Sequence, residues 1–198
     1  TAISYKVKKD LAKIFDKNIH DKIQVIYNPT KDVYYDEKIQ KNNMFLYVGR
    51  ANDPVKRFAL VRESLEKIGE GKNLKICGTE NPDFGNYLGH VSDKGLNKLY
   101  NSTKYLLLPS KAEGIGLPMI EAMICGSIPI ACSDNETALE FLPKDFICEP
   151  TSQGIVSKIE ELNKEYKIKR ELAFEFGKKY QDKFNKISIA KNILSVKK

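Results

Sequence analysis

Residues 109–132, PSKAEGIGLPMIEAMICGSIPIAC, leave this chain few folds to choose from. They follow an apolar run at 105–108 that predicts a buried strand. A turn of Glu113, Gly114, Ile115 and Gly116 comes next, then a helical pattern over 117–125. Pro118 falls in the first helical turn, where a missing N–H costs nothing because it has no helical partner. Gly126 is a helix stop signal, and a second apolar strand, 128–131, follows at once. Strand, glycine turn, helix, strand is the order of a βαβ unit. Such a turn aims backbone N–H groups and a helix N-terminus at one point, where an anion such as phosphate is favoured.

Two carboxylates frame that turn. Glu113 precedes the helix, and Glu121 lies eight residues later, about one turn into it. A carboxylate beside a phosphate is repelled, so its fitting role is to accept hydrogen bonds from neighbouring hydroxyls, on a sugar or a ribose. On spacing alone, Glu121 reads equally well as a solvated helix residue and Glu113 as a loop residue. The patterns E-G-x-G-L-P, x-x-E-A-M and C-G-x-x-P-I-A resemble the signature of retaining nucleotide-sugar glycosyltransferases of the GT-B fold, the glycosyltransferase family 4 type. In that resemblance Glu113 and Glu121 are the two glutamates of an E-x7-E motif.

Composition narrows the class. A length of 198 residues suffices for one sizeable core. No apolar run approaches the roughly 20 residues of a membrane helix, and no signal peptide is visible. The chain begins at Thr1, which reads as a processed start or a start inside a longer protein. Cys77, Cys125, Cys132 and Cys148 form no C-x-x-C pair, which predicts buried free thiols in a reducing cytoplasm and no zinc site. A net charge of +7 suits a nucleotide-sugar, an acidic membrane face or nucleic acid, but lysines scattered over solvated helix faces account for it too. Nucleic acid is not an expected partner, because no binding module and no basic stripe interleaved with aromatics is present.

Taken in order, residues 4–15 predict a helix capped by Ser4, with Val7, Leu11, Ile14 and Phe15 on one side. Residues 22–27 predict a strand ended by Asn28 and Pro29. The patterns S-x-x-V-K-K-D-L and K-I-x-V-I-Y-N resemble the family's interdomain junction, here residues 1–30. Residues 31–43 read as a linker or loop. A strand at 44–48 leads into Gly49 and Arg50, and Pro54 opens a predicted helix to about residue 68, with Phe58, Val61, Leu65 and Ile68 on one face. Arg50 and Lys56 bracket this turn. As residue types they are a fork and a point charge for phosphate oxygens, or simply surface cations near a helix start. They resemble the family's G-R-x(5)-K element, which holds the donor diphosphate.

Residues 74–77 predict a strand, 79–85 a polar loop, and 86–88 a short strand leading to Gly89, His90, Val91 and Ser92. Ser92 or Asp93 caps a helix through 101 with Leu96, Leu99 and Tyr100 inward. The segment resembles L-G-x-V-S-x-x-x-L-x-x-L-Y, where the turn meets the nucleotide base, so His90 and Val91 inherit that position. Without the resemblance, a structural or exposed histidine is the plainer reading of His90. Residues 133–142 begin polar and continue through Ala138, Leu139, Phe141 and Leu142. Relatives carry a Gly and a Glu near here, and this chain has Asp134, Asn135 and Glu136, so no role is carried over. A strand at 145–148 and helices at 152–163, 165–184 and 187–196 complete the pattern. The last helix is basic and compatible with contact to anionic lipid headgroups.

Strands at 44–48, 73–77, 86–88, 104–108, 128–131 and 145–148 alternate with helices. That predicts an α/β fold, a Rossmann-like parallel sheet with helices on both faces, and by resemblance the C-terminal half of a GT-B fold. The expected division is a junction at 1–30, a linker at 31–43, a nucleotide-sugar-binding domain at 44–185 and a terminal helix at 186–198. A nicotinamide-dinucleotide fold is disfavoured, since no G-x-G-x-x-G follows the first strand.

The resemblance implies the donor-binding half of a retaining hexosyltransferase that needs no cofactor and no obligatory metal. Glu113, Arg50 and Lys56 would act catalytically. Gly49, His90, Val91, Gly114, Ile115, Gly116, Leu117 and Glu121 would bind the donor. The acceptor-binding N-terminal domain would be a partner absent from these residues, and the isolated chain would be inactive. A stand-alone nucleotide-binding or partner-interaction module without catalysis is the alternative. The expected location is the cytoplasm, including the cytoplasmic face of a membrane.

Overall fold

The computed structural model describes residues 1–15 and 17–195. The apolar runs become six parallel strands: β1 (Asn43–Val48), β2 (Leu74–Cys77), β3 (Asn86–Gly89), β4 (Thr103–Leu108), β5 (Ile128–Cys132) and β6 (Ile147–Cys148). They form one sheet in the order β3-β2-β1-β4-β5-β6. Phe45 is in register with Leu74 on one side and Tyr105 on the other. Every residue of β5 is buried, which is why the central strands read as continuous apolar runs rather than alternating ones.

Among the described residues eight α-helices accompany the sheet: α1 (Tyr5–Ile14), α2 (Phe58–Lys67), α3 (Asp93–Ser102), α4 (Leu117–Ile124), α5 (Glu136–Phe141), α6 (Ser152–Lys164), α7 (Tyr166–Phe184) and α8 (Lys186–Ser195). From β1 the chain moves to β2 at one side, and from β4 it moves to β5 at the other. Right-handed crossovers therefore set α2 on one face and α3 and α4 on the opposite face. The two long C-terminal helices extend these layers, α6 against α2 and α7 against α4. The α4–α7 contact depends on Gly177, where a Cβ would lie 2.3 Å from the Met123 carbonyl oxygen. Ser4 caps α1 through the Val7 N–H, and Ser92, rather than Asp93, caps α3 through the Gly95 N–H. All four cysteines are free and buried. No helix among the described residues is long and apolar enough to cross a membrane.

Several elements differ from expectation. Residues 22–27 form no sheet strand. Val25 makes a single parallel bridge to Ala2, and Tyr27 is buried by packing edge-on to Phe141 and tilted against Phe184 instead of by a ladder. The helix expected from Pro54 is two pieces. A 3-10 turn, Pro54–Lys56, is capped by the Asp53 side chain, and Arg57 then adopts a left-handed φ of 52° before α2 begins. Residues 145–148 are half strand, because a 3-10 turn, Lys144–Phe146, consumes the start. A short helix, α5, fills 136–141, where the sequence suggested a polar start followed by apolar residues and no defined element. Ile14 and Phe15, on the expected apolar side of α1, are exposed. The terminal helix is described to Ser195, and its expected continuation over 196–198 lies outside the described residues.

Residues 31–42 contain no helix or strand, yet they are not slack. The Tyr34 and Asp36 N–H groups each donate at 2.8 Å to the side-chain oxygens of Asn97 and Asn101, one turn apart on α3. This strap runs across the α3–α4 side of the sheet and ends beside the candidate site.

Candidate functional site

The reversal of strand order between the parallel strands β1 and β4 creates a crevice at the carboxyl ends of the sheet, the position where open α/β sheets bind ligands. Two cavities open there and share Val48 and Gly49 as a common wall. One, of about 210 Å³, is lined by Lys31, Arg50, Thr79, His90, Val91 and Leu96 among others. The other, of about 350 Å³, is lined by Lys56, Leu108, Glu113, Ile115, Gly116 and Leu117 among others. A wider, shallower depression of about 700 Å³ lies against β6 and α6 and includes none of these residues.

The turn before α4 has the backbone its sequence demands. Gly116 sits at φ 72°, and a Cβ there would meet the Met119 methyl at 2.3 Å. No side chain caps α4. Its first N–H groups and the positive end of its dipole therefore face the cavity unopposed.

Glu113 and Lys56, far apart in sequence, meet at this turn. The Lys56 ammonium donates to both carboxylate oxygens of Glu113, at 2.7 and 2.8 Å. Their side chains are 19% and 11% exposed, so the pair is shielded but reachable from the cavity. Arg50 lies across Gly49 on the rim of the smaller cavity, largely exposed, and its guanidinium is paired with Asp53. That contact holds the Asp53 carboxyl below its usual range. The two cations bracket the turn as expected, but each already has a carboxylate partner and each faces a different cavity.

Glu121 is neither solvated nor at a cavity wall. It is 2% exposed, and its oxygens accept from the Lys31 backbone N–H at 3.0 Å and the Tyr100 hydroxyl at 3.1 Å. Burial pushes its carboxyl up, against the pull of those two donors. The Lys31 ammonium reaches Asp93 at the start of α3, at 2.6 Å. One strap residue thus covers Glu121 and edges the His90–Val91 cavity. His90, Val91 and Gly49 line that cavity, with Leu96 as an apolar wall suited to a flat ring. Ile115, Gly116 and Leu117 line the other with Glu113, and Gly114 packs against Ile3. Among the described residues no group of three or more His, Cys, Asp or Glu side chains is arranged to hold a metal ion.

Sequence reasoning missed Lys31, Tyr100, Arg57, Asp134, Asn135 and Thr137. The last three carried a readable signal, since Asx and Thr side chains directly after a strand commonly bond nearby backbone.

Comparison with known proteins adds an independent line. A family model described as "Glycosyl transferases group 1" matches residues 35–180. The O-antigen chain mannosyltransferase RfbU of Salmonella typhimurium is 32% identical over 183 residues, covering 81% of this chain and 50% of that protein. O-antigen chain mannosyltransferase B of Escherichia coli is 40% identical over 73 residues, 36% of this chain and 19% of that protein. Among solved structures, Anabaena Alr3699/HepE in complex with UDP and glucose superposes with a TM-score of 0.79 at 16% identity, covering 98% of this chain and 61% of that one. Sucrose-phosphate synthase from Thermosynechococcus elongatus superposes at 0.77 and 19% identity, covering 96% and 55%. The chain spans about half the length of RfbU, a relative matched over most of it. The fold is that of the C-terminal domain of GT-B glycosyltransferases. The match covers most of the chain and includes the Gly116 turn and the Lys56–Glu113 pair, so this chain belongs to the group 1 glycosyltransferases.

Proposed function

We propose that this chain is the donor-binding half of a retaining glycosyltransferase of the family 4 type, which moves a hexose from a nucleoside diphosphate to an acceptor hydroxyl. The relatives named as mannosyltransferases support mannose as the sugar. The observation that carries the reading is the shielded Lys56–Glu113 pair at the mouth of an uncapped helix, at the switch point of the sheet.

The chemistry follows from charge. As the glycosidic bond to phosphate breaks, negative charge grows on the diphosphate. Lys56, Arg50 and the backbone N–H groups at Gly114, Ile115, Gly116 and Leu117 stabilise that charge where it develops. Phosphate draws Lys56 off Glu113, and the released carboxylate accepts hydrogen bonds from the sugar hydroxyls. His90 and Val91 flank the base, beside Gly49. Glu121 takes the ribose hydroxyls when the Lys31 strap gives up its N–H. Here charge stabilisation rests on side chains and helix end, without an obligatory metal. The acceptor wall of the cleft is supplied by an N-terminal domain, and the active enzyme faces the cytoplasm.

The test is calorimetric titration with UDP, GDP and ADP, using Lys56→Ala as the control. One diphosphate is expected to bind, and the variant to weaken it by about ten- to a hundredfold, the worth of a charge-assisted contact. In the two-domain enzyme, Glu113→Gln is expected to abolish transfer. Binding of all three nucleotides unaffected by Lys56→Ala, or near-normal transfer by Glu113→Gln, sinks the assignment.

A further inference from the structure

The segment 134–137, just after β5, holds both halves of the Lys56–Glu113 pair. Its first residue acts on Lys56. Arg57, the next residue along from Lys56, is held in a left-handed conformation at φ 52°, a backbone that non-glycine residues rarely adopt. What holds it is Asp134, which accepts from the Arg57 guanidinium at 2.9 and 2.6 Å in a two-point fork. The fork lowers the Asp134 carboxyl and fastens the Pro54–Lys56 turn to the end of β5.

The next residues act on Glu113. Thr137 is fully buried, and its hydroxyl donates to the Glu113 carbonyl at 2.7 Å. Asn135, also fully buried, caps α5 with its oxygen through the Thr137 and Ala138 N–H groups. Its amide donates to the Ser110 carbonyl at 3.0 Å. The loop at 110–113 therefore hangs from the first turn of α5. A last bond, Lys111 N–H to the Val55 carbonyl at 2.8 Å, ties that loop to the Lys56 turn.

We propose that Asp134 and Thr137 are positioning residues for the donor site: Asp134 sets Lys56 through Arg57, and Thr137 sets Glu113 through its carbonyl. The inference rests on the donor-site reading above. Its physical content is that Lys56 and Glu113 must stay in reach of phosphate and sugar after the phosphate has parted them. Their own ion pair no longer holds them then, and the 134–137 frame does.

Two measurements test this in the protein carrying Asp134→Asn, Thr137→Val or Thr137→Ser. The first is the rate at which a lysine-acylating reagent labels Lys56, read by peptide mass spectrometry. The rate is expected to rise several-fold in Asp134→Asn and Thr137→Val, with other lysines unchanged, and to stay at the wild-type value in Thr137→Ser. The second compares the affinity for the bound nucleoside diphosphate with that for its bare nucleoside. The diphosphate is expected to weaken about tenfold and the nucleoside not at all. On a Lys56→Ala background, Asp134→Asn is expected to add nothing. Unchanged Lys56 labelling in both variants overturns the proposal, and so does an equal loss of diphosphate and nucleoside affinity. Wild-type protein that binds no diphosphate overturns the donor-site reading alone, and the labelling still decides the frame. Should Asp134→Asn not fold, Arg57→Gln reads the same coupling from the other side of the fork; should Thr137→Val not fold, Thr137→Ala removes the same hydroxyl bond to Glu113.

Discussion

A buried carboxylate is tolerated only when its oxygens are engaged, and Glu121 meets that condition through Lys31 and Tyr100. Its carboxyl is nevertheless pushed up by burial. A carboxyl raised on folding makes the native state hold its proton better than the unfolded chain does. Its contribution to stability is then complete below the ordinary value of 4.5 and is lost as pH rises through the folded value. Glu121→Gln keeps the shape, can still accept from the Lys31 N–H, and removes the charge. In urea melts the variant is expected to gain on the wild type as pH goes from about 4 to about 7, while nucleoside affinity falls because the ribose acceptor is weakened. A stability difference that does not move with pH refutes the first half. An unchanged nucleoside affinity removes Glu121 from the ribose.

At the scale of elements, the strap at 31–42 does what no helix cap does. The Lys41 ammonium donates to the Tyr100 and Cys125 carbonyls at 2.8 and 2.9 Å. It thereby serves the last turn of α3 and the end of α4 together, where the helix dipoles favour a cation. Burial works against the charge and brings the group down to about 7 from 10.5. A lowered lysine value means that the unfolded chain keeps its proton where the native state has released it. The stability linked to this group is complete above 10.5 and is lost as pH falls through about 7. The unfolding free energy of wild type minus that of Lys41→Met is therefore expected to grow between about pH 7 and pH 9.5. A difference that stays flat to pH 9.5 would show that the two helix ends keep the ammonium charged despite its burial.

Across the whole molecule, what was legible in the sequence was local. Each strand–glycine–helix join could be read because its apolar run, turn and helix start are contiguous, and parallel stacking put all those joins on one edge. The pairings made by topology were not legible. Nothing near Arg57 announces Asp134, and nothing near Lys31 or Lys41 announces Glu121 or the ends of α3 and α4. The break at Arg57 was hidden because arginine rarely adopts a left-handed backbone, and α5 because its first turn is polar. Lys56 was legible as a cation near a turn, while its bond to Glu113 was not.

The same separation of local from global governs how charge should serve binding. The chain carries a net +7, and that field acts at long range on an approaching anion. Lys56, 19% exposed, acts only once the anion has arrived. Raising the ionic strength from about 0.1 M to about 1 M shortens the Debye length from about 10 Å to about 3 Å, which removes the long-range field and spares shielded contacts. Stopped-flow binding of a fluorescent nucleoside diphosphate is therefore expected to show an association rate that falls with salt. Lys56→Ala should raise the dissociation rate and leave the salt slope of association nearly as it was. If Lys56→Ala instead abolished that slope, steering would reside in one side chain at the site, and the scattered lysines would have no part in capturing the donor.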